Sequence, residues 1–226
     1  MRTRVKFCGI RTVAEALAAA NAGADAVGIV QIPSARRYVP ADTARKIIAQ
    51  LPPFVVPVLL FANTDPDTVR STAVSLGAKT VQLVGDETPD DVAAMTSSLR
   101  VIKSIRVEPG NFSADINDWL DARRDLDLVN LIGLLAESPG TQGGSGKLNN
   151  FDEIETALDS LEDEAMPLIV AGGLAPTNVA SVVQKLRPWA VDVSSGIEKV
   201  VGSKDSDLMT AFIAEVGKAD GIINAG

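Results

Sequence analysis

No histidine occurs anywhere in this chain, so Ser-His-Asp triads, His-containing zinc motifs and histidine acid–base pairs are excluded at the outset. Any proton transfer must run through Cys, Asp, Glu, Lys or Tyr. Cysteine occurs once, as Cys8, which rules out an internal disulfide and a multi-cysteine zinc site and fits a reducing, cytoplasmic setting. Aromatic residues are scarce, at 4% against 46% hydrophobic overall, so the core must be assembled from Ala, Val, Leu and Ile. The longest apolar runs, such as Phe54 to Ala62, are strand-sized and far short of a membrane span, and Met1 to Lys6 shows no signal-peptide pattern. Positive charge is in deficit, with 29 acidic and 21 basic residues and no basic stripe, and a net charge of −8 repels nucleic-acid and lipid phosphates alike. The composition points to a cytoplasmic protein with no nucleic-acid partner, no membrane partner and no metal.

What is present alternates. Short β-branched runs at Val5–Cys8, Ala26–Val30, Val55–Phe61, Thr80–Val84, Val101–Ile105, Val129–Leu135, Leu168–Ala171 and Ala190–Val193 are separated by amphipathic helical stretches. Nearly all-apolar strands are those covered on both sides, and their regular spacing predicts parallel strands joined by right-handed crossovers. Helix starts are marked by a capping-box pattern at Thr12 to Glu15 and by Asp65-Pro66 and Thr88-Pro89. Buried faces are expected at Val13, Ala16, Leu17 and Ala20, at Val179, Val182, Val183 and Leu186, and at Leu208, Phe212, Ile213 and Val216. No linker divides residues 1–226, so the fold class expected is α/β, a single (β/α)₈ TIM barrel; an open doubly wound sheet is the competitor.

In that fold the reactive groups sit at the C-terminal strand ends. Those ends offer Cys8, Gln31, Asn63, Val84, Arg106, Ala136 with Glu137, Gly172-Gly173, and Asp192 through Gly196. Gly172-Gly173 after the seventh strand and Ser195-Gly196 after the eighth read as a phosphate cradle, because glycine lets backbone N–H groups approach an anion; alternatively they are plain tight turns. Gly143-Gly144-Ser145-Gly146-Lys147 superficially resembles a nucleotide P-loop but fails at Thr141 and Leu148. Strand alternation puts Lys6 on the same side as Cys8, and an ammonium there is expected to lower the thiol pKa; otherwise Cys8 is a small buried hydrophobe.

Taken together, several of these segments resemble the phosphoribosylanthranilate isomerase family over nearly the entire chain. The motifs are Lys6-Phe7-Cys8-Gly9-Ile10, Ser34-Ala35-Arg36-Arg37-Tyr38-Val39, Leu51-Pro52-Pro53-Phe54-Val55, Val81-Gln82-Leu83, Gly143 to Lys147, Gly172-Gly173-Leu174 with Asn178-Val179, and Arg187-Pro188 with Ala190 to Gly196. The resemblance implies an Amadori rearrangement in tryptophan biosynthesis: an acid protonates the ribose ring oxygen, the ring opens to an iminium, and a base removes the adjacent carbon-bound proton. It implies that Cys8 is the base, that Arg37 grips the anthranilate carboxylate, that Gly172, Gly173, Ser195 and Gly196 hold the phosphate, and that Asp192 shapes the pocket. It implies no cofactor, a phosphorylated-sugar substrate, and a monomer or weak homodimer.

Two positions depart from the family. Its general-acid Asp follows Leu-Leu, six residues before Gly-Gly, and at that spacing this chain has Ala136; where the family usually has His, it has Val84. Glu137 is the candidate substitute acid, although strict alternation from the family's strand turns it outward, where it would be a solvated loop carboxylate. The alternatives are an enzyme on another phosphorylated sugar that needs only the Cys8 base, or a phosphosugar-binding protein without turnover.

Overall fold

The computed structural model describes residues 2–108, 110–137, 151–163 and 165–225. Eight parallel strands close into a barrel, each followed by a helix: β1 (Arg4–Cys8), α1 (Val13–Ala22), β2 (Ala26–Val30), α2 (Ala41–Gln50), β3 (Val56–Phe61), α3 (Pro66–Leu76), β4 (Thr80–Leu83), α4 (Pro89–Thr96), β5 (Arg100–Arg106), α5 (Phe112–Asp125), β6 (Leu131–Glu137), α6 (Phe151–Asp163), β7 (Leu168–Ala171), α7 (Val179–Leu186) and β8 (Ala190–Val193). A short hairpin, β9 (Glu198–Val200) with β10 (Ser203–Lys204), precedes the last helix, α8 (Ser206–Ala225). The glycine-rich segment Gly143 to Lys147 lies outside the described residues. No described helix is long and apolar enough to cross a membrane.

The main core lies between strands and helices, where Phe7, Ile29, Leu59, Leu83, Phe112 and Phe212 are fully buried. A smaller cluster of Val58, Ile102, Leu135, Ile169, Ala171 and Ala190 fills the barrel, and Cys8, Val30 and Leu60 form a third nearer its mouth. Helix starts follow their capping residues. Asp65 accepts from the Thr68 N–H, and Thr88 with Asp91 completes a reciprocal capping box. At Thr12 only half of the box forms, because the Glu15 carboxylate is drawn away to the N–H groups of Arg11 and Lys204. The first helix also turns differently from its expected stripe: Ala16 and Ala19 face the core and Leu17 is exposed. The stripe of α7 is buried as expected.

One strand departs in a way that matters for chemistry. A left-handed Asp127 delays the start of β6 to Leu131, leaving Val129 68% exposed. β5 then pairs Val101 with Leu131 but Ile102 with Gly133, so β6 carries one residue more than its partner. A single inserted residue inverts the in-and-out alternation of everything beyond it. Leu131 and Leu134, three residues apart, accordingly both pack toward the helices, whereas Leu135 lies inside the barrel. Ala136 therefore faces the helix layer, fully buried, and Glu137 pairs with Arg106 and with the inward Ala171 on the barrel side.

Candidate active site

Lys6 and Cys8 both point into the barrel from β1. Lys6 donates to the Asp192 carboxylate at 2.8 Å, an ion pair buried on both sides and fixed by the register that sets Lys6 beside Asp192. Although burial alone favours the neutral amine, Asp192 and the Cys8 thiol hold Lys6 above the ordinary lysine range. Cys8 does not follow the sequence expectation. Burial pushes its thiol up, and the opposing pulls of Lys6 and, more weakly, Lys204 do not reverse the shift, which Asp192 adds to. Desolvation outweighs the neighbouring ammonium because Lys6 is already neutralised by Asp192.

Glu137 stands three strands round from Cys8, open to solvent at the mouth. Its outward expectation is corrected by the extra residue in β6. Burial of its surroundings and the Asp192 carboxylate raise its pKa, with Lys6 and Arg106 pulling down more weakly. Ala136, by contrast, contributes nothing to the barrel interior. A cavity of about 350 Å³ opens here, reached by Val84, Ser104, Arg106 and Glu137 on its barrel side and by Asp115, Asp118 and Trp119 from α5. Val84 packs beside Cys8, Val30 and Leu60, so the end of β4 contributes an apolar side chain and no titratable group to the barrel interior. Lys103 points out of the barrel, lines the same cavity from the helix side and pairs with Glu87 at 2.7 Å. Glu87 in turn accepts from the N–H groups of Asn63 and Gly85, tying the loops after β3 and β4 together.

The loops after β7 and β8 meet at Gly196. A Cβ there would lie 1.8 Å from the Leu174 carbonyl oxygen, so only glycine permits the approach. Gly172 and Gly173 both have positive φ, and Asn178 braces their loop by donating to the Gly173 carbonyl and accepting from the Ala175 N–H. Gly173 and Ser195 are exposed beside one another's loops, so the geometry can present backbone donors to an anion.

Arg37 is held in a manner the sequence did not suggest. Its Nε and Nη2 each donate at 2.8 Å to one oxygen of Glu198, which also receives Lys204 at 2.8 Å and the Gly202 N–H at 3.0 Å. Burial acts to raise the Glu198 pKa, but these donors bring it down to about 2. Lys204, fully buried, is shifted down by desolvation against the pull of Glu198. Because the folded-state value of Glu198 is depressed, its ionised form stabilises the fold above the ordinary glutamate value of 4.5, and that contribution is lost as pH falls through about 2. The melting temperature of wild type should accordingly exceed that of Glu198→Gln at neutral pH, with the gap narrowing across this acid window. A gap independent of pH would deny the linkage.

Comparison with known proteins gives concordant matches. Residues 5–215 match the family model for N-(5'phosphoribosyl)anthranilate (PRA) isomerase. The N-(5'-phosphoribosyl)anthranilate isomerase of Citrifermentans bemidjiense is 39% identical over 216 residues, covering 96% of this chain and 98% of that protein. The crystal structure of the Thermotoga maritima phosphoribosyl anthranilate isomerase aligns with a TM-score of 0.83 at 34% identity, covering 96% of this chain and 99% of that one. A phosphoribosyl anthranilate isomerase in complex with reduced 1-(o-carboxyphenylamino)-1-deoxyribulose 5-phosphate aligns at 0.79 and 32% identity, with the same coverage.

Proposed function

This chain belongs to the N-(5'-phosphoribosyl)anthranilate isomerase family, and from that premise we propose that it performs the family's Amadori rearrangement with Cys8 as base and Glu137 as acid. The observation that carries the reading is the inward turn of Glu137, which supplies a carboxyl group to a barrel whose sequence spacing had put Ala136 in the acid's place. Glu137, in the protonated form that burial and the Asp192 carboxylate favour, gives its proton to the ribose ring oxygen. The ring opens, the nitrogen lone pair forms the iminium, and Cys8 takes the proton from the adjacent carbon. Asp192 keeps Lys6 charged beneath Cys8, where the ammonium favours the thiolate. The anomeric C–O bond breaks as the C=N bond forms, and the C–H electron pair neutralises the iminium to an enolamine that tautomerises to the ketone, so the rearrangement is internally redox-balanced and draws on no cofactor.

The phosphate of the substrate is assigned to Gly172, Gly173, Ser195 and Gly196, and its aryl carboxylate to Arg37. Gly196→Ala should spread the two loops, destabilise the fold by about 1–3 kcal/mol and weaken inorganic phosphate binding roughly tenfold or more. Calorimetric titration and thermal melting read both effects; unchanged phosphate affinity would remove the anion from these loops. The chain acts as a monomer or weak homodimer, which sedimentation decides. The function itself is tested by following phosphoribosylanthranilate through the loss of its fluorescence: turnover supports the isomerase, whereas tight binding of a product analogue without turnover favours a phosphosugar-binding protein.

A further inference from the structure

We propose that Glu198 is a positioning residue for substrate specificity, orienting the guanidinium of Arg37 so that its end-on edge meets the aryl carboxylate. The proposal rests on the reading that Arg37 binds that carboxylate. A guanidinium offers two carboxylate-binding edges, one made by Nε with one terminal nitrogen and one made by the two terminal nitrogens. Glu198 occupies the first edge through two bonds of 2.8 Å, and Nη1 makes no hydrogen bond among the described residues. Three N–H groups remain, and two of them, one from each terminal nitrogen, form the second edge, which stays available to a ligand.

Glu198 itself has nothing left to offer a substrate. Its side chain is 3% exposed, and its two oxygens receive four donors, from Arg37 Nε, Arg37 Nη2, Lys204 Nζ and the Gly202 backbone. Lys204 is equally committed, donating also to the carbonyl and hydroxyl oxygens of Ser194. The Arg37 side chain remains 25% exposed, and its stem crosses closely over Gly9, next to Cys8. The guanidinium is therefore clamped from behind, above the proposed base, by a carboxylate that is saturated and mostly out of reach. The hairpin of β9 and β10 is the frame for this clamp: Arg11 donates to the Gly202 carbonyl, and Glu15 accepts from the Lys204 N–H. Pre-orientation of this kind lowers the ordering cost of binding and favours a substrate whose planar carboxylate matches the free fork.

The test compares phosphoribosylanthranilate with the same aminoribose phosphate made from aniline, which lacks the carboxylate. Glu198→Gln should raise KM for the carboxylated substrate about ten- to thirtyfold, leave its kcat within about threefold, and leave the aniline substrate unchanged, an effect of one to two decades being typical of one charge-assisted bond. In an Arg37→Ala background the same change should add nothing. A lower KM for Glu198→Gln would show that Glu198 competes for Arg37 rather than positioning it, and equal losses on both substrates would reduce it to a structural role. Either result overturns the proposal. Should Glu198→Gln unfold because Lys204 is left unpaired, the neutral pair Glu198→Gln with Lys204→Met carries the same comparison. Failure of the underlying reading is recognised separately: Arg37→Ala alone would then impair both substrates equally.

Discussion

Glu137→Gln is expected to reduce isomerase turnover by at least about 10², the low end of what a positioned general acid contributes. Glutamine keeps the volume and hydrogen-bonding reach of glutamate but has no proton to give, so the fold and phosphate binding should be unchanged. The companion variant is Ala136→Asp. By sequence spacing it restores the family's acid and should rescue activity; by strand direction it drives a carboxylate into the apolar layer shared with Ile105 and Val170, which flank Ala136 in the sheet. The structure favours the second outcome, a loss of stability on the order of several kcal/mol from an unpaired buried charge and no rescue of Glu137→Gln. Steady-state kinetics and melting on the single and double variants decide. A double variant that regains turnover would put the acid at position 136 and contradict the inverted strand.

Cys8→Ser should be equally severe, at least about 10² in turnover, with a melting temperature close to that of wild type. A serine hydroxyl is a far poorer base than a thiol, whose unperturbed pKa lies near 8.5. The serine fits the volume of the thiol and can accept from the Lys6 ammonium, so the buried Lys6–Asp192 pair should survive. Full activity in this variant would return Cys8 to the role of a packed small hydrophobe beside Val30 and Leu60.

Most of the barrel was legible from sequence because its strands are apolar on both faces and its helices open on strong caps. The strand spans at Ala26–Val30, Leu168–Ala171 and Ala190–Val193 agree to the residue. What sequence could not disclose was direction within β6. A run such as Leu131-Ile132-Gly133-Leu134-Leu135-Ala136 is apolar in either parity, so its pattern carries no sign of which face is which. The register with β5 decides, and the only local hint is Gly133, a residue that often marks a bulge. Cys8 and Lys6 were legible as inward neighbours, but the balance between charge and burial at the thiol depends on Asp192, which comes from the far end of the chain. Glu198 and Lys204 gave no signal, because their meaning lies in a contact with Arg37 across 161 residues. Both were legible only as charges near the eighth loop.

The raised values at Glu137 and Cys8 bear on how the pair works. Between the two ionisations the resting pair is carboxylate and thiol, whereas the reactive pair is carboxylic acid and thiolate. Each influence that raises Glu137, and each that favours the Cys8 thiolate, enlarges the reactive fraction. Burial and Asp192 do the first, and Lys6 and Lys204 do the second. The central claim, that Glu137 is the acid delivered into the barrel by the extra residue of β6, is tested most directly by the pH profile of kcat/KM for wild type and Glu137→Gln. Ionisations of the substrate cancel in the ratio of the two. Wild type should give a bell, with an acid limb above the ordinary glutamate range and an alkaline limb above the ordinary thiol range, while the variant loses the acid limb and rises only through the ionisation of Cys8. The same bell in both proteins, at whatever height, would contradict the claim.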